Sequence, residues 1–361
     1  MSIYRRRLMI ANALKKSDSN INYPGLIAAW SAAGKSNDDA DRNVLRDLTG
    51  NGHDITLNNF AFSKMSGYGG YRTKLNGKNY LNYNTYNFEV TETSIKIENF
   101  TGTLNLERIS SYWTWNEYKI KVIGLNADEH LRIYYCLGSS SLGWNYIEIR
   151  NDGIYTVPQS TMSDSPYNRA PFIKGNFKNI AIQLLPEYPD ALVFDGVDDY
   201  GVTQVGTIDE LTCIMVREYT NYSYKGISLP FGISLQNSNN ASFNILGFER
   251  APNSTDYPNN AIILFGTSTE LDSPASVEKN IVYVNSTTYN GISISKGSLK
   301  SQNLNDVTIG KVRVANNGLC ARIVFYSAYL FDRSLDEQQI KAFIRKYIDA
   351  DYVLPSEQTT E

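Results

Sequence analysis

"RNVLRDLTGNGHDITLNNFAF", residues 42–62, opens with charge, turns on Gly50-Asn51-Gly52 and then alternates like a strand. Three structures use such a turn: a phosphate-binding loop, a metal-binding loop and a plain corner between strands. A phosphate loop needs a strand before it, a Gly-Lys-Ser/Thr ending and a helix after it. The sequence around Gly50 offers none of these. Asn-Gly supplies positive φ at little cost. The stretch therefore reads as a tight corner that delivers Asp54, Ile55, Thr56 and Leu57 into a strand.

The same texture extends through most of the chain. Between residues 22 and 330, short runs of alternating apolar residues are separated by turn signals. "KLNGKNYLNYNTYNFEV" (74–90) alternates about Asn76-Gly77. "SIKIENF" (94–100), "YKIKVIGL" (118–125) and "KNIAIQLL" (178–185) each read as a strand. "YIEIRNDGIYTV" (146–157) predicts a hairpin about Asn151-Asp152-Gly153, because Asp-Gly between alternating runs is a strong hairpin signal. "NIVYVNST" (280–287), "DVTIGKVRV" (306–314) and "ARIVFYSAYLF" (321–331) complete an all-β pattern at sandwich spacing. One helix is expected, over "RSLDEQQIKAFIRKYI" (333–348). Ser334 and Glu337 would form its capping box. Leu335, Ile340, Phe343, Ile344, Tyr347 and Ile348 form one apolar stripe that would pack on the sandwich.

"YPGLIAAWSAAG" (23–34) and "YPDALVFDGVDDYGVTQ" (188–204) both begin with Tyr-Pro and lead into apolar strands. Strand-rich sequence separates them, which suggests a discontinuous domain. Residues 1–19 would be an N-terminal arm, and 20–64 plus 188–350 one β domain. Residues 65–187 would be an inserted β domain and 351–361 a polar tail. The Gly- and Pro-bearing stretches 64–71 and 184–190 would be the hinges.

The bulk composition narrows the function. A net charge of −3 offers no global basic surface for nucleic acid. No apolar run reaches the ~18 residues of a membrane helix. The start, "MSIYRRRLMIANALKKSDSN", lacks the apolar core of a secretory signal, so a cytoplasmically made protein is expected. Cys136, Cys213 and Cys320 are far apart, without CxxC spacing, and read as buried thiols rather than a disulfide or zinc set.

Only two histidines, His53 and His130, are present, and there is no HExxH, GxSxG or Walker motif. A non-enzyme is expected, although two carboxylates on separate strands would suffice for a glycosidase. Asp195, Asp198 and Asp199 form one oxygen-rich cluster, and Asp47, Asn51 and Asp54 another. Calcium binding and plain turn capping are the two readings of both, with turn capping expected. For sugar, Tyr219, Asn221, Tyr222 and Tyr224 place rings beside an amide in one loop. Trp113 and Trp115, two apart on one strand face, and Trp144 with Tyr146 offer further rings, with core filling as the rival role. Arg5, Arg6, Arg7, Lys15 and Lys16 could attach the arm to nucleic acid, to a membrane surface or to a partner, and docking to a partner is preferred.

Three ordered motifs also resemble the concanavalin-like, laminin-G-type jelly roll. Trp30, Asp47, Gly50, Asn51 and Gly52 match its opening corner. Phe194, Asp195, Gly196, Asp198, Asp199 and Tyr200 match its "L-x-F-D-G-x-D-D-Y" hairpin. Arg333, Leu335, Glu337 and Ile340 match its closing helix motif. The resemblance covers ~200 residues and leaves out the inserted part. The arrangement further resembles virion proteins of gut Bacteroides phages, where such modules occur in head and tail fibres. That resemblance implies a non-catalytic, oligomeric virion appendage. It would dock to other virion proteins through the arm and bind host-surface polysaccharide, with no nucleic-acid partner and no membrane insertion. The alternative is a glycan-active enzyme or free soluble lectin of a gut bacterium.

Overall fold

The computed structural model describes residues 21–72, 75, 87–105, 113–135, 145–162, 172–219, 231–236, 243–246, 265–266, 277–278, 283–284, 291–304, 306–310, 320, 322–354 and 357. The described chain is antiparallel β-sheet with one α-helix, Glu337–Tyr347. It divides into two compact units. The first comprises Met1–Phe62, Ser66–Gly69 and Tyr188–Glu361; the second comprises Ser63–Met65 and Gly70–Glu187.

The first unit is built on the strand Ile323–Phe331, whose nine residues are all buried. One of its edges pairs with Gly206–Tyr219. The other is shared: Leu192–Val193 pairs with its first part and Leu26–Ser31 with its last. Tyr326 is the bulged residue, skipped where Val216 and Arg217 face Ser327 and Phe325. A bulge inverts the alternation of a strand. Ile323 and Phe325 therefore point to the same core as Ala328 and Leu330. A second sheet, which includes Ile55–Asn58, Tyr200–Thr203 and Asp306–Ile309, supplies Ile55, Leu57, Val307 and Ile309 to that same core.

On the opposite face Tyr329 and Phe331 pack against the helix, which keeps the end of the strand apolar on both sides. Phe343 sits 5.0 Å from both Tyr329 and Phe331 in edge-to-face geometry, and 5.1 Å from Tyr23. Ile340 and Ile344 are buried beside it. The expected capping box is displaced by two residues. Ser334 and Leu335 spend their amides on Glu210 Oε2 and Thr212 Oγ1, so they remain outside the helix. Asp336 is the N-cap: its carboxylate accepts from Gln339 N, and Gln339 Oε1 accepts from Asp336 N.

The second unit shows why residues 146–157 are not the hairpin their turn signal predicts. The long strand Phe172–Leu184 pairs along one edge with Ser94–Asn105. Its other edge faces His130–Tyr135 and then Tyr118–Ile123. Those two strands run in one direction, interrupted at 124–129. Asn145–Ile149 pairs with the former and Gly153–Val157 with the latter. The chain thus continues past Asn151-Asp152 without reversing, and the residues form a jog opposite the interruption. Asp152 Oδ1 accepts from Leu125 N at 2.9 Å, which ties the two breaks together. Gly124, at φ +97°, approaches so closely that a Cβ would lie 2.4 Å from the Asn179 carbonyl oxygen. Inward-facing Ile95, Ile97, Ile120, Val122, Leu131, Ile133, Ile180 and Ile182 form a separate core.

Of the four places where the chain passes between the units, those after Gly69 and after Glu187 are close together in space. Tyr188 N donates to Gly69 O, and Glu187 N donates to Gly70 O, both at 2.9 Å. Gly69 N is held by Ala191 O at 2.8 Å. Removing residues 70–187 and joining Gly69 to Tyr188 through a short Gly/Ser linker is therefore expected to leave the first unit folded. Urea unfolding followed by circular dichroism should show one cooperative transition. A broad, non-cooperative loss of signal would show that the first unit needs the second to fold.

Candidate functional site

Trp30 is fully buried, and its indole Nε1 donates to His53 O at 2.6 Å. This bond fixes the Gly50–Gly52 corner against the first strand. Asp47 organises the rest. Its Oδ1 accepts from Ala29 N (3.1 Å) and Thr49 N (3.0 Å), and its Oδ2 from His53 N (3.1 Å). Thr49 Oγ1 adds bonds of 2.8 and 2.9 Å to the two oxygens. Asn51 Nδ2 donates to Ile27 O at 2.8 Å. Asp54 accepts from Asp47 N at 2.8 Å and from Arg46 at 2.6 Å. Gly50 and Gly52 take φ of 80° and 86°. A Cβ at Gly52 would meet nothing within 4 Å, so backbone conformation rather than space selects glycine there. The oxygens of this corner are used for turn chemistry.

The aspartate hairpin follows the same logic with one difference. Asp195, Asp198 and Asp199 offer ligand oxygens within 4.8 Å of one another. Asp195 is partly buried, Asp198 exposed and Asp199 fully buried. Asp199 Oδ2 accepts from Asp195 N at 2.9 Å, and its Oδ1 from Ser66 Oγ at 3.0 Å. Asp195 Oδ1 accepts from Val197 N at 2.7 Å, and Asp195 O from Arg322 Nε at 2.7 Å. Burial, above all, pushes the Asp199 carboxyl up to about 7; the charges of Asp195 and Asp198 add to the rise, against the Asp195 amide and Ser66 hydroxyl. A cation here would compete with amides and a hydroxyl already in place.

The remaining sequence candidates are distributed unevenly. Tyr219 is the last residue of the strand Gly206–Tyr219. Asn221, Tyr222 and Tyr224 lie outside the described residues, as do Arg5, Arg6, Arg7, Lys15 and Lys16 of the arm. Trp113 and Trp115 lie on a strand that pairs with Ser160–Met162. Cys213 is buried in the core of the first unit, and burial raises its thiol pKa, which keeps it inert as a nucleophile.

Two groupings escaped the sequence reading. Ser66 joins the Asp199 hairpin from 133 residues away, through no local pattern. In the second unit, Arg132, Tyr134, Tyr146 and Glu148 meet on one sheet face. Alternation puts Arg132 with Tyr134, and Tyr146 with Glu148, but only the strand register brings the two pairs together. The chain matches no protein-family model and no curated protein.

Proposed function

We propose that this chain is a non-catalytic appendage protein of a phage virion, a fibre or capsid decoration that presents a laminin-G-like jelly roll to host-surface glycans. The observation that carries the reading is the arrangement of the first unit. Strand Leu26–Ser31, near the chain start, pairs with Ile323–Phe331 near its end, and Ile55–Asn58 pairs with Tyr200–Thr203. Two antiparallel sheets thereby share one core, as a jelly-roll sandwich requires. The Asp47 corner and the Asp195–Asp199 hairpin act as braces of that frame, which favours a scaffold over a catalytic centre. The Tyr219–Tyr224 loop would offer rings to sugar, and the arm with Arg5, Arg6, Arg7, Lys15 and Lys16 would dock to other virion proteins.

Mass spectrometry of purified particles tests this reading, comparing the full chain with one lacking residues 1–19. The full chain is expected in particles, and the shortened chain, still folded, is expected in the soluble fraction. Absence of the full chain from particles overturns the appendage reading. Normal incorporation of the shortened chain overturns the docking role.

A further inference from the structure

We infer that the outer face of strands His130–Tyr135 and Asn145–Ile149 binds an acidic sugar unit of a polysaccharide. Tyr146 stacks a pyranose ring, and the Arg132–Glu148–Arg150 cluster receives its carboxylate. This goes further than the proposed function, which places glycan contact on the first unit, and it takes only the ligand class from that reading.

The strand register sets Tyr146 opposite Tyr134 and Glu148 opposite Arg132. The two rings lie 5.3 Å apart at 44°. The Arg132 guanidinium stands 4.8 Å from the centre of the Tyr146 ring. Its Nε and Nη2 donate to Glu148 Oε1 at 2.9 and 2.8 Å. Arg150 grips the other carboxylate oxygen, Oε2, at 3.1 and 2.9 Å. One carboxylate is thus shared by two guanidiniums, and a single positive charge is left over.

The cluster is pre-organised. Arg132 first, then Arg150, hold the Glu148 carboxyl below its usual range, so it stays ionised and keeps both guanidiniums oriented. Arg150 is 63 % exposed at its side chain. A guanidinium has five N–H donors in a fixed fork, and Glu148 engages two of those on Arg150. The others are not engaged by Glu148, and Tyr146, two residues before Glu148 on the same sheet face, is 46 % exposed. Ion pairs this exposed add little to stability. A cluster with one unbalanced positive charge on the same sheet face as a half-exposed ring suits a ligand with a flat C–H face and an attached carboxylate. A uronic acid unit has both features. A nucleic-acid strand fits less well, since it needs several cations along its backbone and the chain carries a net charge of −3.

Electrophoresis of the full chain through native gels containing polygalacturonate, dextran or neither tests the site, with a thymidine oligonucleotide as a fourth arm. Polygalacturonate is expected to retard the protein, and dextran and the oligonucleotide to leave it unshifted. Tyr146→Ala and Arg150→Gln should each weaken retardation about tenfold or more, the equivalent of one lost ring or charged contact. Both positions are exposed, and unchanged circular dichroism checks the fold; should Tyr146→Ala perturb it, Arg150→Gln alone decides. Absence of retardation overturns the site and leaves particle incorporation, measured separately, untouched. Equal retardation by dextran, or a larger shift with the oligonucleotide, overturns the ligand class. Full retardation of both variants, lost instead in Tyr222→Ala, moves glycan contact to the first unit and overturns this inference alone.

Discussion

Trp30→Ala is expected to destabilise the first unit by about 3–5 kcal/mol, the cost of emptying a large aromatic site in a packed core. Trp30 is fully buried among residues of both sheets, with Leu45, Ile55 and Ala328 in the same cluster. Its ring also supplies the donor that holds His53 O. The two contributions separate in a pair of variants. Trp30→Phe keeps most of the packing and leaves the partly buried His53 carbonyl without its indole partner, a loss of about 0.5–1.5 kcal/mol. Denaturant midpoints read by circular dichroism should fall in the order wild type, Phe, Ala. Equal losses in the two variants would assign the whole effect to the hydrogen bond. An unchanged midpoint in Trp30→Ala would remove Trp30 from the core. A loss of several kcal/mol is a large share of the margin on which a domain of this size stands.

Trp30 also illustrates what the sequence made legible. Period-two alternation is a local property, so "YKIKVI" could be read directly, and Tyr118, Ile120 and Val122 are buried where Lys119, Lys121 and Ile123 are exposed. The helix was legible because its apolar stripe spans several turns, and Ile340, Phe343 and Ile344 are indeed buried. Its cap was not, because Ser334 and Leu335 lose their amides to Glu210 and Thr212, more than a hundred residues earlier. The Asn151-Asp152-Gly153 signal failed for a related reason. Asp-Gly specifies a local change of direction, but the partners of the flanking strands are set by the long strand Phe172–Leu184 and by the break at 124–129. There Asp152 braces Leu125 instead of closing its own turn. In the aspartate cluster the residue types were visible, yet the one that changes the chemistry, buried Asp199, is distinguished only by Ser66 and by depth.

Asp199 is expected to make the stability of the first unit fall as pH rises from about 4 to about 7. Its folded pKa, about 7, lies above the ordinary 3.8 it regains on unfolding, and burial is the main cause. Between those values the folded state holds a proton that the unfolded state has released. Stability then decreases with pH by up to about 1.4 kcal/mol per pH unit for one such group, and levels off above the folded pKa. Within the first unit Asp41 and Glu357, held below their usual range by Lys35 and Lys341, oppose this slope toward acid, so the Asp199 contribution is read from the difference between the wild type and a variant without it. Asp199→Asn should flatten it. The amide oxygen can still accept from Asp195 N, and the amide nitrogen can donate to Ser66 Oγ, so the brace survives without the charge. Melting temperatures of the two proteins from pH 4 to 8 should therefore converge toward acid and separate above neutrality, with the variant the more stable. The same series separates turn bracing from cation binding. At pH 8 Asp199 is above its folded pKa of about 7, the state that favours calcium most. Calcium bound only by the folded state would raise the melting temperature of the wild type as its concentration increases. With Asp199 engaged by an amide and a hydroxyl and Asp195 by the Val197 amide, no calcium-dependent rise is expected. A rise that vanished in Asp199→Asn would make the hairpin a metal site, and a slope that persisted in the variant would place the titrating group elsewhere in the unit.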